Sequence, residues 1–590
     1  MASKRLGYLR LYQHLDKIFL LFFTNFLILD YGWRPLNSWL AAQLLRLSGY
    51  QFLSYNNILP LIRTSPITFV CLVLLFGVNL FVAYFQIVYL FKGLYNLFSE
   101  RAFHLKDFLL QSFQDTKGAV REFTASKILF ISFYIAVLFP ILGKLLNIYY
   151  LDKFIIPSFI QDFLLNNLWF AFLLMASGLF VFILSIRWMF ALPQILFEGK
   201  GVREAIRFSR SKTHKRWWGY LWKIVFLFLK TILLYLFLIM LVMILQAVAE
   251  SQADSRFPRL ILLAGLFNFS LIKLAYYMMV SYFLIKFMGI VTEKALPPKP
   301  AKQHPLLRLT IVAVAGAFFS FEGYVSLFQS WDTKPLVISH RGVSNNNGVQ
   351  NTIESLVETA KLKPDYVEID IQETADGQFV LMHDANLEVL AGVDLTPQDL
   401  TLEELTNLDV TENGYTVKIP SFQAYLDKAD ELGQKLLVEV KTSSQDSKDM
   451  MTRFLTTYGK RLKEKNHQLQ SLDYRVVATT IAYDQDLPVF FILPYNTIFP
   501  QTQATGYTME YSTLDETFTS RMFDTGQQVY DWTINDEESI SKSFQLGVDG
   551  MITDDVELVQ VNVNEEFENP DIFYILLNRA LNYINVFASA

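Results

Sequence analysis

Cysteine is almost absent: Cys71 is the only one in 590 residues. That excludes a disulfide scaffold and any multi-cysteine zinc or iron–sulfur site. Charge is also scarce, at 18% of residues against 52% hydrophobic. A chain this apolar is neither disordered nor an ordinary soluble enzyme, and its length suggests several domains. The charge is unevenly spread. Residues 1–328 carry 33 Lys and Arg against 14 Asp and Glu, near +19, whereas residues 329–590 carry 18 against 42, near −24. A greasy basic half precedes a polar acidic half, and the acidic half argues against nucleic acid as a partner.

Crossing a bilayer core takes roughly 20 apolar residues. Residues 64–91, 163–186 and 231–249 contain no charge, and 260–285 and 309–331 are interrupted only by Lys273 and Glu322. Residues 128–143 are shorter but continue past Lys144, which can snorkel. These predict six spans in an all-α membrane domain. Residues 18–29 are a possible seventh: a tilted span, a re-entrant piece or an interfacial helix. Basic residues concentrate in 92–127, 193–220 and 293–308, which fall on one side of the membrane. That side is expected to be the cytoplasm, so everything after 331 is expected outside. Lys273 inside a span is read either as part of a substrate or ion site or as a structural charge reaching a partner or headgroup.

From Pro335 the pattern changes to short β-branched runs alternating with helical stretches. Strands are expected near 335–340, 366–371, 436–441, 467–472, 488–494, 507–511, 528–533 and 549–553, with helices between most of them. Eight such strands suit a parallel sheet closed into a (β/α)8, or TIM, barrel. An open doubly wound sheet usually carries a Gly-rich phosphate loop after its first strand, and here that strand runs into HRGVSNNNG instead. The polar residues gather at strand ends: His340 and Arg341, Glu368 and Asp370, His383 and Asp384, Glu439 and Lys441. Glu368 and Asp370 are two apart and share one face, as do Glu439 and Lys441. Each motif alone is more often a turn, a salt bridge or a solvated face. Together, at the C-terminal ends of barrel strands, they point to metal-assisted phosphodiester chemistry. Three carboxylates (Glu368, Asp370, Glu439) make a hard oxygen site for one divalent cation, Ca²⁺ or Mg²⁺. His340 and His383 are candidates for acid and base, and Arg341 and Lys441 for binding an anion.

The ordered strings HRG (340–342), QNTIES (350–355), VEIDIQETADGQFVLMHD (367–384), IPSF (419–422), LLVEVK (436–441), DWTIND (531–536) and GVDGMITD (547–554) resemble the glycerophosphodiester phosphodiesterase family. The resemblance spans roughly 335–560, and the multi-span half is similar to that family's bacterial membrane-domain branch. It implies a TIM barrel that splits glycerophosphodiesters into an alcohol and glycerol 3-phosphate. It implies that Glu368, Asp370 and Glu439 hold the ion, and that His340 and His383 are the acid/base pair. Arg341 and Lys441 would contact phosphate, and Asn351 and Thr352 would brace the loop after the first strand. Trp532 would line the substrate cleft, or else is barrel packing. The implied path has the substrate's own glycerol hydroxyl attack first, giving a cyclic phosphate that water opens. One departure stands out: Val349-Gln350 replaces the family's Pro-Glu, so any charge that glutamate supplies is lost.

The expected organisation is a membrane domain over 1–331, the barrel over 332–560 and an apolar C-terminal helix over 561–590 that docks on the barrel or lies on the membrane. The expected function is hydrolysis of glycerophosphodiesters, or of polyglycerol-phosphate polymers such as teichoic acids, at the outer face of the cell membrane. Two other readings stand beside it. One is a transporter or lipid-handling protein with an extracellular glycerophosphodiester-binding domain. The other is a lyase acting on intact lipids, which leaves cyclic phosphate as product.

Overall fold

The computed structural model describes residues 14–98, 105–122, 124–135, 157–252, 258–293, 305–329, 333–496, 498–568 and 572–584. The chain divides into two compact units. The first comprises Met1–Tyr50, Asn56–Tyr324 and Ile572–Ala590; the second comprises Gln51–Tyr55 and Val325–Asp571.

In the first unit, five described helices are long and apolar enough to cross a membrane: Pro66–Asn96, Leu168–Trp188, Trp217–Ser251, Ile261–Thr292 and Pro305–Tyr324. Their outward faces are hydrophobic, as bilayer contact requires; Leu168, Trp169, Phe172 and Met175 are all exposed. Five of the six expected spans are therefore present as helices. The sixth begins in the helix Ala125–Phe133, and the rest of it lies outside the described residues. Residues 18–29 fall within a helical run: Leu15–Phe26, a π-helical stretch Leu27–Trp33, then Arg34–Leu47. Thr24 and Trp33 tie that run to Pro66–Asn96 through Tyr89 (3.0 Å) and Asn79 (2.9 Å).

The two charges that interrupt the apolar runs are each other's partner. Lys273 Nζ lies 2.7 Å from Glu322 Oε1, and the ammonium sits 5.3 Å from the ring centre of Tyr583 and 5.7 Å from that of Phe269. Pairing is what makes two such charges tolerable among apolar helices. The C-terminal helix, Ile572–Asn582, belongs to this unit rather than to the barrel. Ile572 fills the space a side chain at Gly265 would need, since a Cβ there would stand 2.7 Å from it. The Tyr235 hydroxyl donates to the Ala580 carbonyl (2.9 Å), and Tyr276 stacks on Tyr583 at 4.7 Å.

The second unit is a closed barrel. Its parallel strands are β1 (Leu336–Ser339), β2 (Tyr366–Glu373), β6 (Leu436–Val440), β7 (Gln468–Ser471), β8 (Val489–Leu493), β9 (Gly506–Glu510), β10 (Gln528–Trp532) and β11 (Gly550–Thr553). They follow one another around the ring, and pairing of β1 with both β11 and β2 closes it. All eight expected strands are present. The short FVLM run forms β3 (Phe379–Leu381), antiparallel to β2. A separate hairpin, β4 (Asp409–Glu412) and β5 (Tyr415–Lys418), is an element the sequence reading did not anticipate. Gln51–Tyr55 joins this unit, with the Phe52 ring 5.0 Å from Tyr474 and 4.6 Å from Phe491.

Alternation sorts the barrel residues. Val367, Ile369 and Ile371 face the surrounding helices, while Tyr366 faces inward with Ile338, Leu437, Phe490, Tyr530 and Ile552. This apolar plug fills the lower barrel, with Phe490 stacked on Tyr530 at 4.2 Å. Gln468 satisfies both buried phenols, donating to Tyr366 and accepting from Tyr530 at 3.1 Å each. Above the plug the interior turns polar.

Candidate active site

The polar layer begins with Glu368 and Asp370 on β2 and Glu439 on β6. Strand register sets Asp370 directly beside Glu439. One oxygen from each of the three carboxylates lies within 4.8 Å of the others. All three are buried. Burial, with Asp370 and Glu439 alongside, pushes Glu368 well above the ordinary carboxylate range. Burial also raises Glu439, only partly offset by Lys441. Asp370 moves the other way: against its burial, Lys441, His383 and Arg341 together with an Asn351 hydrogen bond hold it below its usual value. Buried, mutually repelling carboxylates with hard oxygen donors fit a divalent cation.

Two cations border the cluster. Lys441 Nζ lies 3.0 Å from Glu439 and 3.2 Å from Asp370; against its burial, these carboxylates raise the lysine above its usual value. Arg341 follows β1 in a tight turn at φ +51°, which delivers its backbone N–H to Glu368 Oε2 at 2.9 Å. Its Nε is buried without a hydrogen-bond partner, 3.9 Å from Asp370.

Asn351, at φ +58°, clamps Asp370 from both sides: its amide donates to Oδ2, and its oxygen accepts from the Asp370 N–H, both at 2.9 Å. Thr352 bonds the Val349 carbonyl at 2.7 Å and caps the helix Ile353–Ala360. Both residues thus lie in the loop after β1 and tie it down. Gln350 accepts a hydrogen bond from Arg341 at 2.8 Å and donates to Glu412 at 2.7 Å.

Each histidine stands on a carboxylate. His340 Nδ1 is 2.8 Å from Asp554, which Asn535 also holds at 2.7 Å. His383 Nδ1 is 2.7 Å from Asp384, and Gln372 fixes that segment by donating to the Met382 and Asp384 carbonyls. Burial lowers His383, offset in part by Asp370. His467 is at the opposite end of the barrel, where it accepts from the Leu436 N–H at 2.8 Å and meets Asp430 at 3.1 Å. Trp532 ends β10 and packs on the interior plug. Asp554 and Asn535 lie in the strings GVDGMITD and DWTIND, but neither was given a role from sequence. Gln372 lies in the string VEIDIQETADGQFVLMHD without a role read from sequence, and Glu412 lies outside every quoted string; only the fold brings it to the site.

Residues 5–322 match the family model for the membrane domain of glycerophosphoryl diester phosphodiesterase, and residues 340–558 match that of the glycerophosphoryl diester phosphodiesterase family. A glycerophosphodiester phosphodiesterase of Caldanaerobacter subterraneus is 24% identical, covering 38% of this chain and 96% of its own. Mouse lysophospholipase D GDPD1 is 29% identical over 37% of this chain and 82% of its own. An Oleispira antarctica phosphodiesterase solved with its product sn-glycerol-3-phosphate is 22% identical, covering 39% of this chain and 97% of its own with a TM-score of 0.35. With both family models matched in order along a multi-pass, barrel-bearing chain, the protein belongs to the glycerophosphoryl diester phosphodiesterases that carry this membrane domain.

Proposed function

We propose that this chain hydrolyses glycerophosphodiesters to glycerol 3-phosphate and an alcohol, outside the cell, with one divalent cation, Ca²⁺ or Mg²⁺, held by Glu368, Asp370 and Glu439. The observation that carries the reading is the carboxylate cluster set beside two cations and two carboxylate-oriented histidines. The ion supplies neutralisation of phosphate charge. Arg341 and Lys441 complete that neutralisation and orient the phosphate. His383, whose basicity burial lowers and which Asp384 orients, takes the proton of the attacking glycerol hydroxyl as its oxygen bonds to phosphorus. His340, held by Asp554, gives a proton to the departing alkoxide. In the second step the two exchange roles: His340 takes a proton from water, whose oxygen opens the cyclic ester, and His383 returns its proton to the glycerol oxygen.

The outer location rests on the basic loops 92–127, 193–220 and 293–308. An extracellular site has access to deacylated phospholipid headgroups and to polyglycerol-phosphate polymers such as teichoic acids. Lys273, one of the features behind the transport reading, is paired with Glu322.

The test is incubation of purified full-length protein with glycerophosphocholine, glycerophosphoethanolamine, glycerophosphoglycerol and lipoteichoic acid, with and without chelator. The expected result is chelator-sensitive release of linear glycerol 3-phosphate. Accumulating cyclic phosphate would make the protein a lyase, and indifference to chelator would remove the ion from the reaction.

A further inference from the structure

The hairpin β4–β5 turns on Asn413 and Gly414, both at positive φ (+53° and +83°), the backbone a two-residue primed turn demands. Its tip grips the loop that follows β1. Asn413 Nδ2 donates to the Gly348 carbonyl at 3.0 Å. Glu412 takes both donors of the next-but-one residue: the Gln350 backbone N–H at 2.8 Å and its side-chain Nε2 at 2.7 Å. A glutamine side chain has two faces of nearly equal shape and opposite polarity. An ionised carboxylate only accepts, so Glu412 dictates which face is which. The Gln350 oxygen is left pointing at Arg341, whose Nη1 donates to it at 2.8 Å. One amino group of the guanidinium is thereby anchored on Gln350. Nε, buried and without a hydrogen-bond partner, lies on the side toward Asp370.

We propose that Glu412 is a positioning residue: by fixing the polarity of the Gln350 amide it sets the Arg341 fork to receive the substrate's phosphate. The inference rests on the phosphodiesterase reading above and assigns to the hairpin the task of preparing the phosphate site. Glu412 contacts neither the carboxylate cluster nor the histidines; it acts through Gln350 alone.

The relay is tested by an exchange of polarity. Glu412→Gln is isosteric, yet it presents an amide where a carboxylate stood. With the new amide's oxygen accepting the backbone N–H of Gln350, its NH₂ faces the Gln350 side chain. Gln350 then turns its oxygen toward that NH₂ and its own NH₂ toward Arg341, donor against donor. Adding Gln350→Glu restores an acceptor for Arg341 and gives the new amide a carboxylate to bond. The expected result is that Glu412→Gln and Glu412→Ala each raise KM for glycerophosphoglycerol about tenfold with kcat little changed, the signature of lost binding rather than lost chemistry. Inorganic phosphate, titrated calorimetrically into the ion-loaded protein, should weaken by the same factor. The double variant Gln350→Glu with Glu412→Gln should return both quantities to within about threefold of the unaltered protein. A Glu412→Gln protein with unaltered KM and phosphate affinity overturns the proposal, as does a double variant no better than Glu412→Gln. A protein that binds phosphate and follows this series in phosphate affinity, but cleaves no glycerophosphodiester, would count against the assigned reaction and leave the relay standing.

Discussion

Replacing His383 by alanine is expected to slow turnover by about 10²–10⁴-fold while the divalent ion still binds, and His340→Ala is expected to do the same. The reason is a division of labour in the site. The ion's proposed ligands are carboxylates, whereas each histidine is committed through Nδ1 to its own aspartate, Asp554 or Asp384. That contact leaves Nε2 of each ring for proton transfer. A bell-shaped pH–rate profile should lose one limb in each variant. His467→Ala is the control. Its ring lies at the far end of the barrel, so the substitution should leave turnover alone. It should cost stability, because it strands the buried Leu436 N–H, a loss of about 1–3 kcal/mol. Steady-state kinetics beside calorimetric ion titration on the same preparations decides the matter. If His383→Ala lost the ion together with activity, His383 would be a ligand and the acid/base assignment would fall.

Substituting a carboxylate of the cluster has a comparably large effect with a different signature. Glu439→Gln and Glu368→Gln are each expected to lower activity more than about 100-fold and to weaken ion binding. Without ion, their stability should change in the opposite sense. Burial and neighbouring carboxylates hold Glu368 above its ordinary value, so the folded protein keeps that proton to higher pH than the unfolded chain does. The resulting stabilisation is fully present in acid and is lost as pH rises through the raised value. At neutral pH, chelated protein should therefore melt lower than chelated Glu368→Gln, which has one fewer repelling charge. Adding the ion should raise the melting temperature of the unaltered protein and leave Glu368→Gln nearly unmoved. Because the ligands must be deprotonated, ion affinity should rise with pH. Calorimetric melting with and without chelator reads all of this. A Glu368→Gln protein that gains as much from the ion as the unaltered one would remove Glu368 from the ligand set.

The barrel was legible because its signals are local and repeated. β-branched runs separated by helical stretches marked all eight parallel strands, and charged pairs at their ends marked the candidate site. What escaped is what depends on encounters between distant segments. The turn Asn413-Gly414 is a plain hairpin signal, but its strands DVTE and YTVK are short and largely polar, so no apolar alternation drew attention to them. The meeting of Glu412 with Gln350 spans 62 residues and leaves no local trace. The same holds for Asp554 beneath His340, brought there because β11 pairs with β1. In the membrane half, hydropathy located five helices, but it could not foresee that Lys273 and Glu322, 49 residues apart, answer each other. The departure at Gln350 reads differently with the structure in hand, since the lost carboxylate has a counterpart in Glu412 one residue further out.

The C-terminal helix alters the topology of attachment. Because Ile572–Asn582 returns to the unit that Pro305–Tyr324 belongs to, the barrel is an insertion closed at both ends, not a pendant on one stalk. Adjacent first and last strands make such an insertion possible, since β1 and β11 bring the two chain ends to one side of the ring. Protease acting from outside on wall-free cells would then have to cut twice to shed a soluble acidic fragment. A single nick near 330 should leave the barrel on the membrane, anchored by Ile572 against Gly265 and Tyr583 over Lys273. Shedding after one cut, or protection of the barrel until the cells are lysed, would contradict this double mooring or the outward orientation respectively. By this topology a single proteolytic cut is expected to leave the barrel attached, which would suit the polymeric substrate proposed above.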